Sequence, residues 1–129
     1  MEIAALLVSA LLFGGMVLFS FGFAGFVFSV LPAEIAGPTI RRAFPRFYSF
    51  VLASAAVAAV LLMAIDPVSA GLMAIIAGST MPTSQFLMPA INAATDSDNK
   101  RRFRLLHGLS VGITMAHIML AGVVLGRFL

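Results

Sequence analysis

The sequence predicts an all-α membrane protein, a four-transmembrane-helix bundle with both termini on the extracytoplasmic side. Of the 129 residues, 61% are hydrophobic and only 10% are charged, which is unlike a soluble domain. Four long stretches contain no Asp, Glu, Lys or Arg, namely residues 3–33, 47–65, 67–95 and 105–126. Because a bilayer core requires about 20 apolar residues per helix, each stretch is long enough for one span. We therefore expect a single domain, residues 1–129, with helices at about 3–31, 47–65, 68–91 and 105–126.

The distribution of positive charge predicts the orientation. Seven of the eight Lys and Arg residues lie in two short segments between apolar stretches, namely Arg41, Arg42, Arg46, Lys100, Arg101, Arg102 and Arg104. Basic loops stay in the cytoplasm, so we expect a multi-pass protein of the plasma (inner) membrane with these loops cytoplasmic. Their arginines are expected to contact anionic lipid headgroups. Charge placed between apolar spans is also the pattern of membrane topology and not of a nucleic-acid groove, so no nucleic-acid partner is expected.

The first predicted helix is rich in Gly and Phe. Its glycines and Ser20 permit close approach of another helix, and its phenylalanines are typical of packing and lipid contact. The stretch is too long for a signal-peptide core. A secretory signal also carries positive charge before its apolar run, whereas the only charge here is Glu2, so we expect the stretch to be retained. Pro32 ends it, and residues 32–46 are predicted to form a loop.

The second and third predicted helices are joined by a tight reversal at Asp66-Pro67, where Pro67 is suited to the first turn of a helix. The second half of the third helix contains most of its polar side chains together with Pro82 and Pro89. Each proline removes a backbone donor and frees a carbonyl one turn earlier. We therefore predict a kink near these polar residues.

The fourth predicted helix carries a polar stripe, His107, Ser110, Thr114 and His117. At about 100° per residue these four positions share one side of the helix. Lipid cannot satisfy polar groups, so the stripe is expected to face the other helices. Small residues on the same helix permit close crossings inside the bundle or between copies, and a homo-oligomer or a membrane partner subunit is expected.

Depth along the predicted helices indicates which polar groups meet. Ser20, Ser79, Thr80 and His117 are all about 16 to 18 Å from the cytoplasmic ends, near the bilayer midplane. Ser110 and Gln85 form a second layer closer to the cytoplasm, and His107 lies near the interface. His117 has two interpretations: a group that binds or titrates, or a neutral imidazole that joins helices by bonding Ser79, Thr80 or Ser20.

The residues themselves give little indication of a cofactor or of a catalytic site. The chain has no Cys, so thiolate metal sites are absent. A copper site of Met and His ligands is conceivable, but His107 and His117 are about 15 Å apart along one helix and cannot clamp one haem iron. No nucleotide or hydrolase motif occurs, so an enzyme is not expected, and the metal and cofactor are left open.

With these residues in view, the chain resembles the transmembrane-protein-205-like family of small four-helix membrane proteins, described mostly as of unknown function. The likeness is carried by three pieces, namely Leu12-Phe13-Gly14-Gly15, Phe44-Pro45-Arg46-Phe47-Tyr48 and His107-Gly108-Leu109-Ser110. It implies four transmembrane helices and a motif-matching His107/Ser110 pair, with Thr114 standing where the family commonly has Asn. That family is distantly similar to the copper-resistance-D-like membrane group, in which some members bind haem or handle copper, and this implies haem or copper as candidate cofactors.

Three functional hypotheses follow. The first is a buried polar cleft around His117, lined by Ser79, Thr80, Ser20 and Thr114, that binds or passes a small polar or cationic species. The second is a non-catalytic assembly or accessory subunit whose polar residues fix helix register. The third is a haem- or copper-binding redox protein.

Overall fold

Four long helices make up the chain in the computed structural model, which describes residues 1–129 and contains no strand. We name them α1 (Glu2–Val30), α2 (Ala33–Leu62), α3 (residues 67–96) and α4 (Lys100–Gly126). The predicted all-helical class is thereby confirmed. α1, α2 and α4 are long and apolar enough to cross a membrane, which is consistent with a membrane protein.

The start of α2 differs from the prediction. Residues 33–46, predicted to be loop, continue the same helix even though Pro38 and Pro45 lie inside it. The physical reason is a second small core in which Ala36 and Ile40 of α2 bury against Val27 of α1. These two residues are four apart, so a helix presents both to α1, and a loop would expose them.

The connection between α3 and α4 is also shorter than predicted. α4 begins at Lys100 and not near residue 105, because the Asn99 side chain accepts a hydrogen bond from the backbone N–H of Arg102 at 3.2 Å and caps the helix. Only residues 97–99 separate the two helices, and Asp98 has a φ of 53° there.

α3 is irregular at the place where the sequence predicts a kink. It consists of Pro67–Pro82, a π-helical turn at Thr83–Leu87, and Met88–Asp96. The π turn therefore lies directly between Pro82 and Pro89, where the backbone lacks two donors. α1 has a similar π turn at Leu18–Phe23, which the sequence analysis did not predict.

Each helix buries one narrow stripe, which we call its packing seam. On α1 the seam is Ala5, Ser9, Leu12 and Met16, and on α2 it is Tyr48, Val51, Ala55, Ala58 and Leu62. On α3 it is Ser69, Met73, Ile76, Thr80 and Thr83, and on α4 it is Ser110, His117, Ala121 and Val124. Buried residues that recur every three or four positions form a straight stripe along a helix, as in helices packed side by side. The many small residues in these seams allow the helices to approach closely.

The helices pack in chain order, α1 on α2, α2 on α3, α3 on α4, with α4 returning to α1. One ion pair joins two helices at each end of the bundle. Arg127 after α4 bonds Asp66 at 2.8 and 2.9 Å, and Arg41 of α2 bonds Asp96 of α3 at 2.8 and 3.1 Å. We call the end that contains Arg41 and the 97–99 connection the basic end.

Candidate functional site in an amphipathic cavity

A cavity of about 820 Å³ lies at the basic end, between all four helices. It is lined by the second half of α1, the first half of α2, the last turns of α3 and the first half of α4. We call it the amphipathic cavity, because most of its lining is apolar while its polar lining residues are Ser20, Glu34, Arg41, Asn92, Thr95, Asp96, His107, Ser110 and Thr114. Its size is in the range of sites for drug-sized molecules, about 300–1,000 Å³.

Stacked aromatic rings form one wall of the cavity. Phe19 of α1 lies over Phe47 of α2 with centroids 4.2 Å apart and planes 12° apart, and Phe44 meets Phe19 edge-on at 5.5 Å. Phe44 and Phe47 are one turn apart and so project toward α1 together. Phe44 also stacks on Tyr48 at 5.7 Å. The negative faces of such rings attract cations.

The charged lining residues leave one carboxylate without a partner. Arg41 and Asp96 bond bidentately, and this hydrogen bonding holds the pKa of the Asp96 carboxyl below its usual range, so Asp96 is ionised and neutralised by Arg41. Both ion pairs of the chain involve other residues than Glu34. The lining of the cavity therefore carries one uncompensated negative charge, on Glu34.

The polar stripe of α4 is divided by the structure. His107, Ser110 and Thr114 line the amphipathic cavity, and His107 is exposed and stacks on Phe103 with centroids 5.3 Å apart. His117 does not line the cavity and is only 8% exposed. The shared helix face that the sequence predicts is therefore present, but its deepest member is enclosed by helix packing.

His117 pairs with one of the three hydroxyls expected near it. Its Nε2 lies 2.7 Å from the Ser79 Oγ of α3. The Ser79 Oγ is also 2.7 Å from the Ile75 carbonyl oxygen. A hydroxyl has one proton, so when Ser79 donates to that carbonyl, the Nε2–H of His117 is the donor to Oγ. This bond links α3 and α4 deep within the bundle.

The other predicted lining residues lie elsewhere. Thr80 is buried but donates to the Ile76 carbonyl oxygen of its own helix at 2.7 Å. Ser20 lines the amphipathic cavity, whereas Gln85 is exposed and does not line it. The single cleft predicted around His117 is thus two features, a closed Ser79–His117 pair and an open cavity nearer the basic end.

Tyr48 is a residue that the sequence analysis did not connect with the site. It is 5% exposed, and its hydroxyl has no hydrogen-bond partner of regular geometry. The buried Ser110 hydroxyl, which lines the cavity, is the side-chain group placed to interact with it. A buried hydroxyl in an apolar helix requires a partner, and this requirement is the signal that could have linked the only Tyr of the chain to the polar stripe.

Metal and haem ligands do not converge in the structure. No group of three or more His, Cys, Asp or Glu side chains is close enough to hold a metal ion. His107 and His117 do not share a cavity, while Met88 and Met115 line the amphipathic cavity with His107. The donors that a haem or copper ion could find in one place are therefore one imidazole and two thioethers.

The fold and the cavity together define a class, a small all-helical protein with membrane-length apolar helices around an internal amphipathic site. The chain belongs to the family described as Domain of unknown function (DUF4149), which it matches over residues 7–100. No curated protein and no solved structure matches the chain. The matched region covers nearly all of α1, all of α2 and α3, and only the first residue of α4, so the polar stripe of α4 lies beyond it.

Proposed function

We propose that this chain is an integral membrane protein that binds a small amphipathic cation in the amphipathic cavity. The observation that carries the proposal is the combination of an aromatic wall with the exposed, unpaired Glu34 carboxylate in the lining of one cavity. Aromatic faces and a carboxylate attract the cationic group, and the apolar lining covers the remainder of the ligand. An anionic ligand would meet the same carboxylate unfavourably.

The proposed membrane placement has four transmembrane helices, both termini extracytoplasmic, and the basic end in the cytoplasm at the plasma (inner) membrane. It is supported by the absence of charge from residues 67–95, which gives α3 a span of its own. It is also supported by the concentration of Lys and Arg at the basic end. Arg41, one of the arginines expected at lipid headgroups, forms an ion pair with Asp96. The arginines that we propose contact the headgroups are therefore Arg42, Arg46, Arg101, Arg102 and Arg104.

Passage across the membrane would extend this proposal. Ser110 and Thr114 lead inward from the cavity along α4 toward the Ser79–His117 pair. Since that pair is enclosed between α3 and α4, a passing ligand would have to separate it. We therefore propose binding as the basic activity, with the pair as the inner barrier.

Tetraphenylphosphonium binding to the purified full chain in a neutral detergent, measured by isothermal titration calorimetry, tests the proposal. We expect Glu34→Gln to weaken binding roughly tenfold, equivalent to about 1.4 kcal/mol. The matched control Glu2→Gln, which removes a carboxylate from the first turn of α1 outside the cavity, should leave binding unchanged. The nearly isosteric anion tetraphenylborate should bind much more weakly. Equal binding of both ions, or an unaffected Glu34→Gln variant, would contradict the proposal.

A non-catalytic assembly subunit is the second candidate, favoured by the buried Ser79–His117 bond, which fixes the register of two helices. Gly108, Gly112 and Ala116 lie on the outer surface of α4, where the two glycines have open space around them. A second copy or a partner subunit could approach closely there. A single monomeric species over a wide range of protein concentration in detergent would contradict a homo-oligomer.

The finer resemblance, to the transmembrane-protein-205-like family and through it to the copper-resistance-D-like group, is retained as a proposal on the short motifs that carry it. For a haem, the residues that would hold the iron are His107, the histidine that lines the cavity, and a Met of the cavity lining or a residue of another copy. Purified protein without a Soret band after incubation with haem would contradict that candidate.

A further inference from the structure

A second space, of about 700 Å³, opens on the outer surface between α1 and α2. We call it the α1–α2 groove. It is lined by Arg42 and Arg46 and by apolar side chains, namely Leu18, Phe19, Phe23, Phe47 and Phe50. One groove thus combines two cations with apolar side chains, and its lining extends one turn beyond Arg46 to Phe50 and Gly15.

The two arginines are free to bind an anion. They are exposed and one helical turn apart, and both ion pairs of the chain are formed by Arg41 and Arg127. The Arg46 guanidinium lies 3.5 Å from the Arg42 carbonyl oxygen, so it lies back along α2 toward Arg42. Two adjacent guanidinium groups match the several oxygens of a phosphate.

The apolar part of the groove distinguishes a lipid from a soluble anion. Gly15 has no side chain, and Phe50 occupies the space beside it, since a Cβ on Gly15 would lie 2.5 Å from the Phe50 ring. Leu18 is 68% exposed in the same groove. An acyl chain would cover these side chains, which free phosphate could not do.

We infer that the α1–α2 groove binds one anionic phospholipid, with its phosphate on Arg42 and Arg46 and an acyl chain along Leu18 and Phe50. The inference rests on the proposed membrane placement, because the arginines must lie at headgroup depth. It is independent of cation binding, since neither Arg42 nor Arg46 lines the amphipathic cavity.

The test uses the full chain in a neutral detergent, into which phosphatidylglycerol is titrated while the bound lipid is counted by native mass spectrometry. We expect the double variant Arg42→Gln/Arg46→Gln to weaken binding of the first lipid about thirtyfold, which is about 2 kcal/mol at about 1 kcal/mol per arginine. The matched control Arg101→Gln/Arg102→Gln removes the same charge from headgroup-facing arginines outside the groove. It lowers the general attraction to anionic lipid but leaves the groove intact, so its loss of affinity should be clearly smaller than that of the groove variant. Arg42→Lys/Arg46→Lys keeps the charge but loses the paired guanidinium geometry, so it should retain an affinity between those of wild type and the Gln double variant.

Two further measurements distinguish binding of a phospholipid from binding of a soluble phosphate. Phosphatidylcholine should bind much more weakly, and glycerol phosphate should not displace phosphatidylglycerol at equal concentration. Equal losses in the two Gln double variants, or displacement by glycerol phosphate, would overturn the inference. Tetraphenylphosphonium binding should persist in Arg42→Gln/Arg46→Gln, so failure of lipid binding is distinguishable from failure of the proposed cation site.

Discussion

Breaking the Ser79–His117 hydrogen bond should weaken the bundle by a measurable and separable amount. The two atoms are 2.7 Å apart and His117 is 8% exposed, so Ser79→Ala leaves a buried imidazole nitrogen without its partner. Hydrogen bonds between membrane helices contribute on average about 0.6 kcal/mol and at most about 1.7 kcal/mol. Because this pair is enclosed, we expect a coupling energy of about 1 to 1.7 kcal/mol, in the upper part of that range.

A double-mutant cycle separates this coupling energy from the destabilisation caused by the cavity that His117→Ala also creates. The free energy of unfolding of wild type, Ser79→Ala, His117→Ala and the double variant would be measured in bicelles by steric trapping. As a matched control, Ser84→Ala combined with His117→Ala should show no coupling, since Ser84 forms no hydrogen bond with the ring. Additive effects of Ser79→Ala and His117→Ala would refute the hydrogen bond between α3 and α4.

Two other predictions concern packing and charge. Gly15→Ala should destabilise the fold by about 1 kcal/mol, because the new Cβ would lie 2.5 Å from the end of the Phe50 ring, which must move to accommodate it. Gly14 has open space around it, so Gly14→Ala should be neutral or stabilising. Equal effects of the two substitutions in chemical unfolding would contradict the packing of α1 on α2. Hydrogen bonds from Arg127 and Ser69 hold the pKa of the Asp66 carboxyl well below its ordinary value of 3.8. The ion pair therefore stabilises the fold fully above that value, and its contribution is lost as the pH falls below it. Asn can still cap α3, so the thermal midpoint of wild type should exceed that of Asp66→Asn near neutral pH and approach it in acid, whereas a constant difference would contradict the ion pair.

Much of the fold could be predicted from the sequence, because stretches without charge report directly on helices that avoid water. The start of α2 could not, since Glu34, Pro38 and Arg41 give residues 33–46 the composition of a loop. What favours helix there is burial of Ala36 and Ile40 against α1. Their four-residue spacing was visible in the sequence, but the surface that covers them was not.

The candidate site was predictable in part. Depth along antiparallel helices correctly brought Ser79 near His117, because rise per residue fixes height in a bundle. The rotation of each helix about its own axis does not follow from the rise per residue. This rotation determines which side chains face a neighbouring helix: Thr80 bonds a carbonyl of its own helix, and Gln85 is exposed. The Arg41–Asp96 pair joins residues 55 apart in sequence, so no local pattern could indicate it.

The most direct measurement of the central claim is the position of a bound cation among the methionine methyl groups. The full chain, labelled with ¹³C at the methionine methyls, would be saturated with tetraphenylphosphonium and its intermolecular NOEs recorded. Met88 and Met115 line the amphipathic cavity, whereas Met63 and Met119 are exposed outside it. We predict NOEs from the phenyl protons to Met88 and Met115 and none to the other two. NOEs confined to Met63 and Met119 would show adsorption on the outer surface and would contradict a binding cavity between the four helices.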